Sequence, residues 1–405
     1  MKILLSAFAC DPQFGSDEEV GWRWAVEAAR QGHQVCVLTR ASHREAVDAE
    51  LARSGTLAGL RFEYVDSPRV HALLARINRR NHLYYYLWQW LALQRAREML
   101  AQGERFDLVH HVTWVSFRQP SFLGALGLPF VFGPVAGGDE IPPGYARRFS
   151  AKQRWLEAAR TALNACVRFD PLMRQTFRTA TRLYVTSPAH LRRLPAFARA
   201  KARVELAIAS APTPAGVRTS GGGQRLLFVG RALGLKGMDY GLEAFARAQR
   251  QRPGLRLSVV GDGPELARWQ AQAAALGVAE AVQWLGWLPK AQVQDLYASH
   301  DALLCPSLRD SGGFVVLEAL QAGLPVVCFA LGGPGVMVDA SVGTALAAEL
   351  DQDATLERYA QALLEVLDRA AADPGLAAAC QARAARYRWD ALLRRVYAEF
   401  EPGRA

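Results

Sequence analysis

A chain of 405 residues is longer than one hydrophobic core usually organises, and its 51% hydrophobic content is enough for two, so two domains are expected. No apolar run approaches the ~20 residues of a membrane span, the N-terminus opens with a strand rather than a signal peptide, and six scattered cysteines lack any Cys-x-x-Cys spacing, as expected of a cytoplasmic protein with reduced core thiols. The net charge of +10 lies wholly in residues 1–200, with 27 Lys and Arg against 17 Asp and Glu, and no nucleic-acid motif accompanies it, so nucleic acid is not an expected partner.

Lys2–Cys10 is an apolar run ending in a turn, Glu18–Arg30 has helical spacing, and Gln34–Arg40 is a second buried strand. This strand–helix–strand start is that of a doubly wound sheet. Arg61–Val65, Leu108–Val112, Phe130–Phe132 and a last strand Leu183–Ser187 follow, with helices over Leu73–Gln102 and Arg154–Asn164. Ala209–Gly223 has the Pro/Gly/Ser composition of a linker. The alternation then restarts, with strands at Arg225–Val229, Leu255–Val260, Val282–Leu285, Ala302–Cys305 and Pro325–Phe329. Helices of roughly 10–15 residues between them indicate a second parallel sheet. The fold class expected is α/β, with two facing Rossmann-like domains, 1–208 and 224–384, and a cleft between them.

The richest stretch runs from Pro306 to Val327. It places a Gly-Gly turn before an apolar helix and sets Asp310 and Glu318 on either side of seven residues. A helix start rich in backbone N–H groups is an anion site, and a carboxylate inside the helix can accept hydrogen bonds from a ribose diol. Phosphate grip with ribose grip implies a nucleotide, and the intervening acid implies an attached sugar.

These residues resemble the C-terminal signature of glycosyltransferase family 4, the retaining GT-B enzymes, usually Glu-x7-Glu with Gly-Phe-Gly after the first acid. This chain has Asp310-x7-Glu318 and Ser311-Gly312-Gly313-Phe314 instead. The resemblance extends to Phe228–Gly237, similar to the family's Gly-Arg-x4-Lys-Gly segment, and to Val259–Glu265 and Val282–Trp287. It is looser in the N-terminal half, where it rests on Gly15-Ser16 and the strand–helix rhythm. In the family the terminal helix returns to the first domain, and Trp389–Glu399 is the candidate.

The resemblance implies roles. Arg231 and Lys236, flanked by Gly230 and Gly237, would grip the diphosphate; otherwise they are surface residues of a strand–helix loop. Glu318 would receive the ribose hydroxyls, or else lies at the solvent edge of its helix. Asp310 would contact the donor sugar, one methylene shorter than the usual Glu, or merely cap the Gly-Gly turn. Ser311, Gly312, Gly313 and Phe314 would bind sugar or phosphate, Gly286-Trp287 would read the base, and Gly15-Ser16 would approach the diphosphate from the first domain. The family carries a histidine where this chain has Gly133-Pro134-Val-Ala-Gly137-Gly138. His111 is the candidate replacement, against an ordinary structural histidine. Trp114, Arg118, Asp139 and Glu140 are candidate acceptor-side residues.

Asp351-Gln-Asp353 spells the Asp-x-Asp of metal-dependent transferases, but its flanks read as a helix cap, and no cluster has metal-ligand spacing. No metal and no cofactor are expected, only a nucleotide-diphosphate sugar as co-substrate. Tyr84–Trp90 with Arg76, Arg79 and Arg80 is either a membrane-interface helix or a buried one. The basic surplus fits an anionic lipid surface or acceptor, or a solvated Arg-rich face. The function implied is transfer of a UDP- or GDP-linked sugar to a glycan or lipid-linked acceptor, in bacterial surface-glycan assembly at the inner face of the cytoplasmic membrane. A GT-B sugar-nucleotide epimerase and a non-catalytic sugar-nucleotide-binding subunit are the alternatives.

Overall fold

The structure is a computed structural model that describes residues 1–13, 17–55, 57–77, 82–210 and 222–401. The chain divides into two compact units. The first comprises residues 1–138, 162–207 and the chain from Trp389 onward; the second comprises Asp139–Thr161 and Ile208–Arg388.

The first unit is built on seven parallel strands: β1 (Lys2–Ala7), β2 (Gln34–Thr39), β3 (Leu60–Tyr64), β4 (Leu108–Thr113), β5 (Phe130–Val135), β6 (Arg182–Val185) and β7 (Ala202–Val204). Their order is β3-β2-β1-β4-β5-β6-β7, so the direction of winding reverses between β1 and β4. Leu4 of β1 pairs with Cys36 on one side and Val109 on the other. Central strands covered by helices on both faces must be apolar along their whole length, and β1, β2 and β4 are buried almost throughout. The strand β7 went unforeseen, and Leu183–Ser187 is therefore not the last of the sheet.

The expected Leu73–Gln102 helix is two, Pro68–Ile77 and His82–Ala101. Tyr84, Tyr85 and Trp88 are 0–1% exposed and pack on Phe8, so this side of the helix belongs to the core, while Trp90 is 50% exposed. Arg79 and Arg80 lie outside the described residues. The Trp389–Tyr397 helix joins this unit: Trp24 Nε1 donates to the Tyr397 hydroxyl at 2.8 Å.

The second unit has six parallel strands: β8 (Arg225–Val229), β9 (Arg256–Val260), β10 (Val282–Gly286), β11 (Ala302–Cys305), β12 (Val326–Phe329) and β13 (Gly343–Leu346). Their order is β10-β9-β8-β11-β12-β13, with the reversal between β8 and β11. Ligands of open parallel sheets bind outside the carboxyl ends of the strands at such a reversal.

A single cut at 208 differs from the observed division, because Asp139–Thr161 is grouped with the second unit. Tyr145 and Phe149 are buried in that unit's core, Tyr145 lying 4.9 Å from the Tyr240 ring, and Arg148 pairs with Glu243 at 2.6 Å. Of the expected linker, 211–221 lie outside the described residues; Ile208 and Ala209 are buried and Ser210 bridges to Arg388.

Candidate active site

The loops that leave β8 and β11 lie side by side at the reversal of the second sheet. The β8 loop is tied to its neighbour by Gly230 N donating to Val260 O at 3.0 Å and Ala232 N to Asp262 O at 2.8 Å. This leaves the Arg231 side chain exposed at the sheet's edge. A short 3-10 turn over Gly234–Lys236 follows, and Leu308 N donates to Leu235 O at 2.9 Å, which draws the β11 loop alongside. Gly237 ends the turn at φ +67°, and a Cβ there would lie 2.0 Å from the Pro306 carbonyl oxygen. Only glycine satisfies both conditions.

That approach brings the Lys236 ammonium to 2.7 Å from Asp310 Oδ2. The other carboxylate oxygen of Asp310 accepts from Gly313 N at 2.8 Å and Gly312 N at 3.3 Å, closing the turn that opens the Phe314–Gln321 helix. The capping alternative for Asp310 is thus realised, and the same carboxylate also pairs with the lysine. One cation and two backbone N–H groups converge on a single carboxylate. Gly313 holds φ +74° with Met337 and Pro334 packed against it, and Gly333 N donates to Asp310 O at 2.8 Å. The Gly332-Gly333 pair escaped the sequence reading, although its Gly-Gly-Pro-Gly context was the available signal.

Glu318 projects from the Phe314–Gln321 helix among buried Val316, Leu317, Ala319 and Leu320. A carboxylate there needs partners. It has the Tyr297 hydroxyl at 3.2 Å and Lys290 Nζ at 3.5 Å, neither of which the motif pattern revealed. Burial, reinforced by the negative charge of Glu318, pushes the Tyr297 phenol up, so it stays a neutral donor. Trp287 is 74% exposed beyond β10, after Gly286 at φ +64°. Phe314 is exposed at the helix start.

Ser311 Oγ donates to Asp139 Oδ2 at 2.8 Å, so residues expected on donor and acceptor sides belong to one unit. Asp139 is buried, Glu140 beside it is half-buried, and Arg309 pairs with Glu157 at 2.7 Å. Asp351 caps the Gln352–Ala372 helix by accepting from Ala354 N at 3.0 Å, and Asp353 pairs with Arg247.

Residues 215–377 match the glycosyl transferases group 1 family and residues 19–208 match the glycosyl transferase 4-like domain. A D-inositol 3-phosphate glycosyltransferase from Saccharomonospora viridis is 30% identical over 395 residues, 91% of this chain and 86% of the relative. The chain belongs to the group 1, family 4 glycosyltransferases. A second D-inositol 3-phosphate glycosyltransferase, from Nocardia farcinica, is 30% identical over 335 residues, 77% of this chain and 68% of that one. The GT-B fold is shared with the lipopolysaccharide outer core galactosyltransferase WaaB at TM-score 0.62 and 14% identity, covering 98% of this chain and 100% of WaaB. It is shared also with Anabaena HepE, solved in complex with UDP, at TM-score 0.57 and 18% identity, covering 98% and 99%.

In the first unit of this glycosyltransferase, Gly15 and Ser16 lie outside the described residues. His111 is fully buried on β4, stacked 5.1 Å from Phe132 and 3.3 Å from Ser6 Oγ. Burial pushes its imidazole down to about 3, so it is a neutral core side chain. Trp114 and Arg118 follow β4 beside the reversal, both half-buried, with Trp114 stacked on Tyr85 at 5.4 Å. Gly138, in the segment that replaces the family histidine, lies against the His190 ring.

A buried group at the carboxyl ends of β1 and β2 was not foreseen. Asp11 Oδ2 is 3.3 Å from His43 Nδ1, and His43 Nε2 is 2.8 Å from Arg40 Nη2. Burial and then the Arg40 charge push the His43 imidazole down.

Proposed function

We propose that this glycosyltransferase moves a sugar, with retention, from a UDP- or GDP-linked donor to a glycan or lipid-linked saccharide acceptor in the assembly of a bacterial surface glycan, without a metal ion. The observation that carries the donor reading is the convergence of Lys236 and the Gly312 and Gly313 N–H groups at the reversal of the second sheet. A cation and helix-start donors gathered on one carboxylate are the contacts a diphosphate needs.

In this reading Lys236 shifts from Asp310 to the leaving diphosphate and Arg231 closes from the exposed side. A cation–phosphate pair at ~4 Å is worth about 4 kcal/mol at an effective dielectric of ~20, before desolvation. The helix start adds ~0.3–1 kcal/mol, so the side-chain cations dominate. Glu318 takes the ribose hydroxyls, Asp310 orients the sugar, and Trp287 lies beside the base. The bond from the anomeric carbon to the phosphate oxygen breaks as the bond to the acceptor oxygen forms on the same face. The acceptor's proton passes to the departing phosphate oxygen.

The first test is a thermal-shift panel of UDP, GDP, ADP, dTDP and CMP, with and without EDTA. A diphosphate at ~100 times its dissociation constant adds about 2.7 kcal/mol. One stabilising diphosphate, insensitive to EDTA, is the expected result; no shift with any of them overturns the donor site. Product analysis then separates transfer from epimerisation, which needs no acceptor, and from a non-catalytic subunit, which neither transfers nor hydrolyses donor.

A further inference from the structure

Exposed apolar side chains and a surplus of positive charge coincide in one segment of the first unit. Residues 162–207 hold nine Lys and Arg against two acids, Asp170 and Glu205, and one of the nine, Arg182, pairs with Glu399 from outside the segment. Both acids are engaged: Asp170 accepts from Leu172 N and Met173 N, and Glu205 pairs with Arg395 at 2.9 Å. On the same segment Leu163 is 59% exposed, Phe169 69%, Leu172 40% and Phe197 39%.

Contacts join Arg168, Phe169, Arg174, Arg178 and Phe197 into one surface cluster, with Leu172 beside it on the helix that carries Arg174 and Arg178. The Pro171–Thr179 helix buries Met173 and Phe177 and turns Leu172 and Arg178 outward. Arg174 spans the face, its guanidinium 5.3 Å from the Phe197 ring and its Nη1 donating to Arg168 O at 2.9 Å. Arg178 lies over the same ring at 5.5 Å, and Arg168 over Phe169 at 4.6 Å. The guanidinium groups of Arg168, Arg174 and Arg178 therefore rest on aromatic rings, and among the described residues no carboxylate pairs with them. Leu172 also lines an open cavity with Leu93, Phe122 and Ala125.

We propose that this face, carried by Arg168, Phe169, Leu172, Arg174, Arg178 and Phe197, docks the enzyme on an anionic lipid bilayer. Apolar side chains set between arginines match a surface of phosphates over hydrocarbon, because the rings enter the acyl boundary while the guanidinium groups stay at headgroup level. A soluble polyanion would use the charge but leave the exposed Leu and Phe without a role. The inference deepens the proposed function by naming the surface on which a lipid-linked acceptor is met, and rests on that reading for the acceptor. It also moves the membrane contact away from Tyr84–Trp90, whose Tyr84, Tyr85 and Trp88 are taken up by the core.

The test is sedimentation of the full chain with phosphatidylcholine vesicles, with and without phosphatidylglycerol, across a salt series. Binding is expected only with phosphatidylglycerol and is expected to weaken with salt. Arg168→Gln and Arg178→Gln should each reduce partitioning about fivefold. Phe169→Ser and Leu172→Ser should each reduce it about tenfold. Cys166 is the one exposed thiol of the six, and an environment-sensitive fluorophore on it should shift to the blue on vesicles. No binding to phosphatidylglycerol vesicles, or equal binding to neutral ones, overturns the proposal. So does binding that the arginine variants abolish while Phe169→Ser and Leu172→Ser leave it intact, which would mark a plain anion surface. All four variants should keep the nucleotide thermal shift; its absence in the unaltered chain would instead overturn the donor reading.

Discussion

Lys236 and Asp310 stand 74 positions apart in the chain, yet the ammonium lies 2.7 Å from the carboxylate. Both are mostly buried, at 18% and 17% side-chain exposure. A pair this sheltered is screened less than a surface pair, so either partner senses a third charge strongly. An incoming diphosphate would compete for the lysine and release the acid toward the sugar.

Lys236→Ala should lower transfer about a hundredfold or more, the scale seen when one donor to developing charge is removed. The fold should persist, because the loop is held by backbone contacts from Leu235 to Leu308 and from Gly230 to Val260. Turnover with a fixed donor and acceptor, beside a melting curve, checks both halves. Near-normal turnover would remove Lys236 from the diphosphate grip.

The strand cores were legible because parallel strands covered on both faces must be apolar runs, as in Leu226–Val229. The glycines at 237, 312 and 313 were legible because motif spacing marks where backbone must approach closely. Less legible was Asp139–Thr161, whose Tyr145 and Phe149 read the same in either core until a partner such as Tyr240 is known. Tyr84–Trp90 was ambiguous for a related reason: its apolar residues are nearly continuous, so periodicity gave no face. β7 is only three residues long, and three of the four residues of β13 are half-buried, so neither reads as an apolar run. Tyr297 beside Glu318 depends on two helices meeting, which local sequence does not encode.

Glu318→Ala should weaken nucleotide binding without abolishing folding. Losing a charged acceptor for two hydroxyls costs ~1.5–3 kcal/mol, so the dissociation constant of the stabilising diphosphate should rise about tenfold or more. Tyr297→Phe should have a smaller effect, since it removes a neighbour of Glu318 and leaves the carboxylate. Titration calorimetry on both variants checks the order; equal losses would assign Tyr297 a direct contact.

Gly237→Ala should destabilise the second unit. The added methyl meets the Pro306 oxygen at 2.0 Å and the residue must hold φ +67°, a conformation that costs a non-glycine residue ~1–3 kcal/mol before any clash. A melting-temperature loss of at least ~2–4 °C per kcal/mol is expected. An unchanged melting curve would show that the β8 and β11 loops can separate freely.

The return of the terminal helix rests on a chain of buried polar groups. Trp24 Nε1 donates to the Tyr397 hydroxyl at 2.8 Å, that hydroxyl lies 2.9 Å from His110 Nδ1, and His110 Nε2 lies 2.6 Å from Gly133 O. With the carbonyl accepting from Nε2, the neutral ring takes the tyrosine proton at Nδ1. Tyr397→Phe strands the indole N–H and the ring nitrogen, at ~1–3 kcal/mol each. Chemical denaturation of the full chain should show the loss; Trp24→Phe with Tyr397→Phe should cost less than the sum, since the pair shares one bond.

Acid should unfold the first unit through the same strand. Burial pushes His110 down to about 4 and His111 to about 3, from 6.5 for a free imidazole. Below 6.5 the unfolded chain binds protons that the folded chain refuses, so unfolding free energy falls with pH by ~1.4 kcal/mol per pH unit for each histidine. The stability is fully present above 6.5 and is lost progressively down to about 4 for His110 and about 3 for His111. His111→Leu removes one of the two protons while keeping an apolar side chain against Phe132. Urea unfolding between about pH 6.5 and about pH 4.5 should therefore show a shallower slope for the variant, by close to one proton. Identical slopes would mean that His111 takes up its proton inside the folded core, and that the ring is less sheltered than its packing against Phe132 implies.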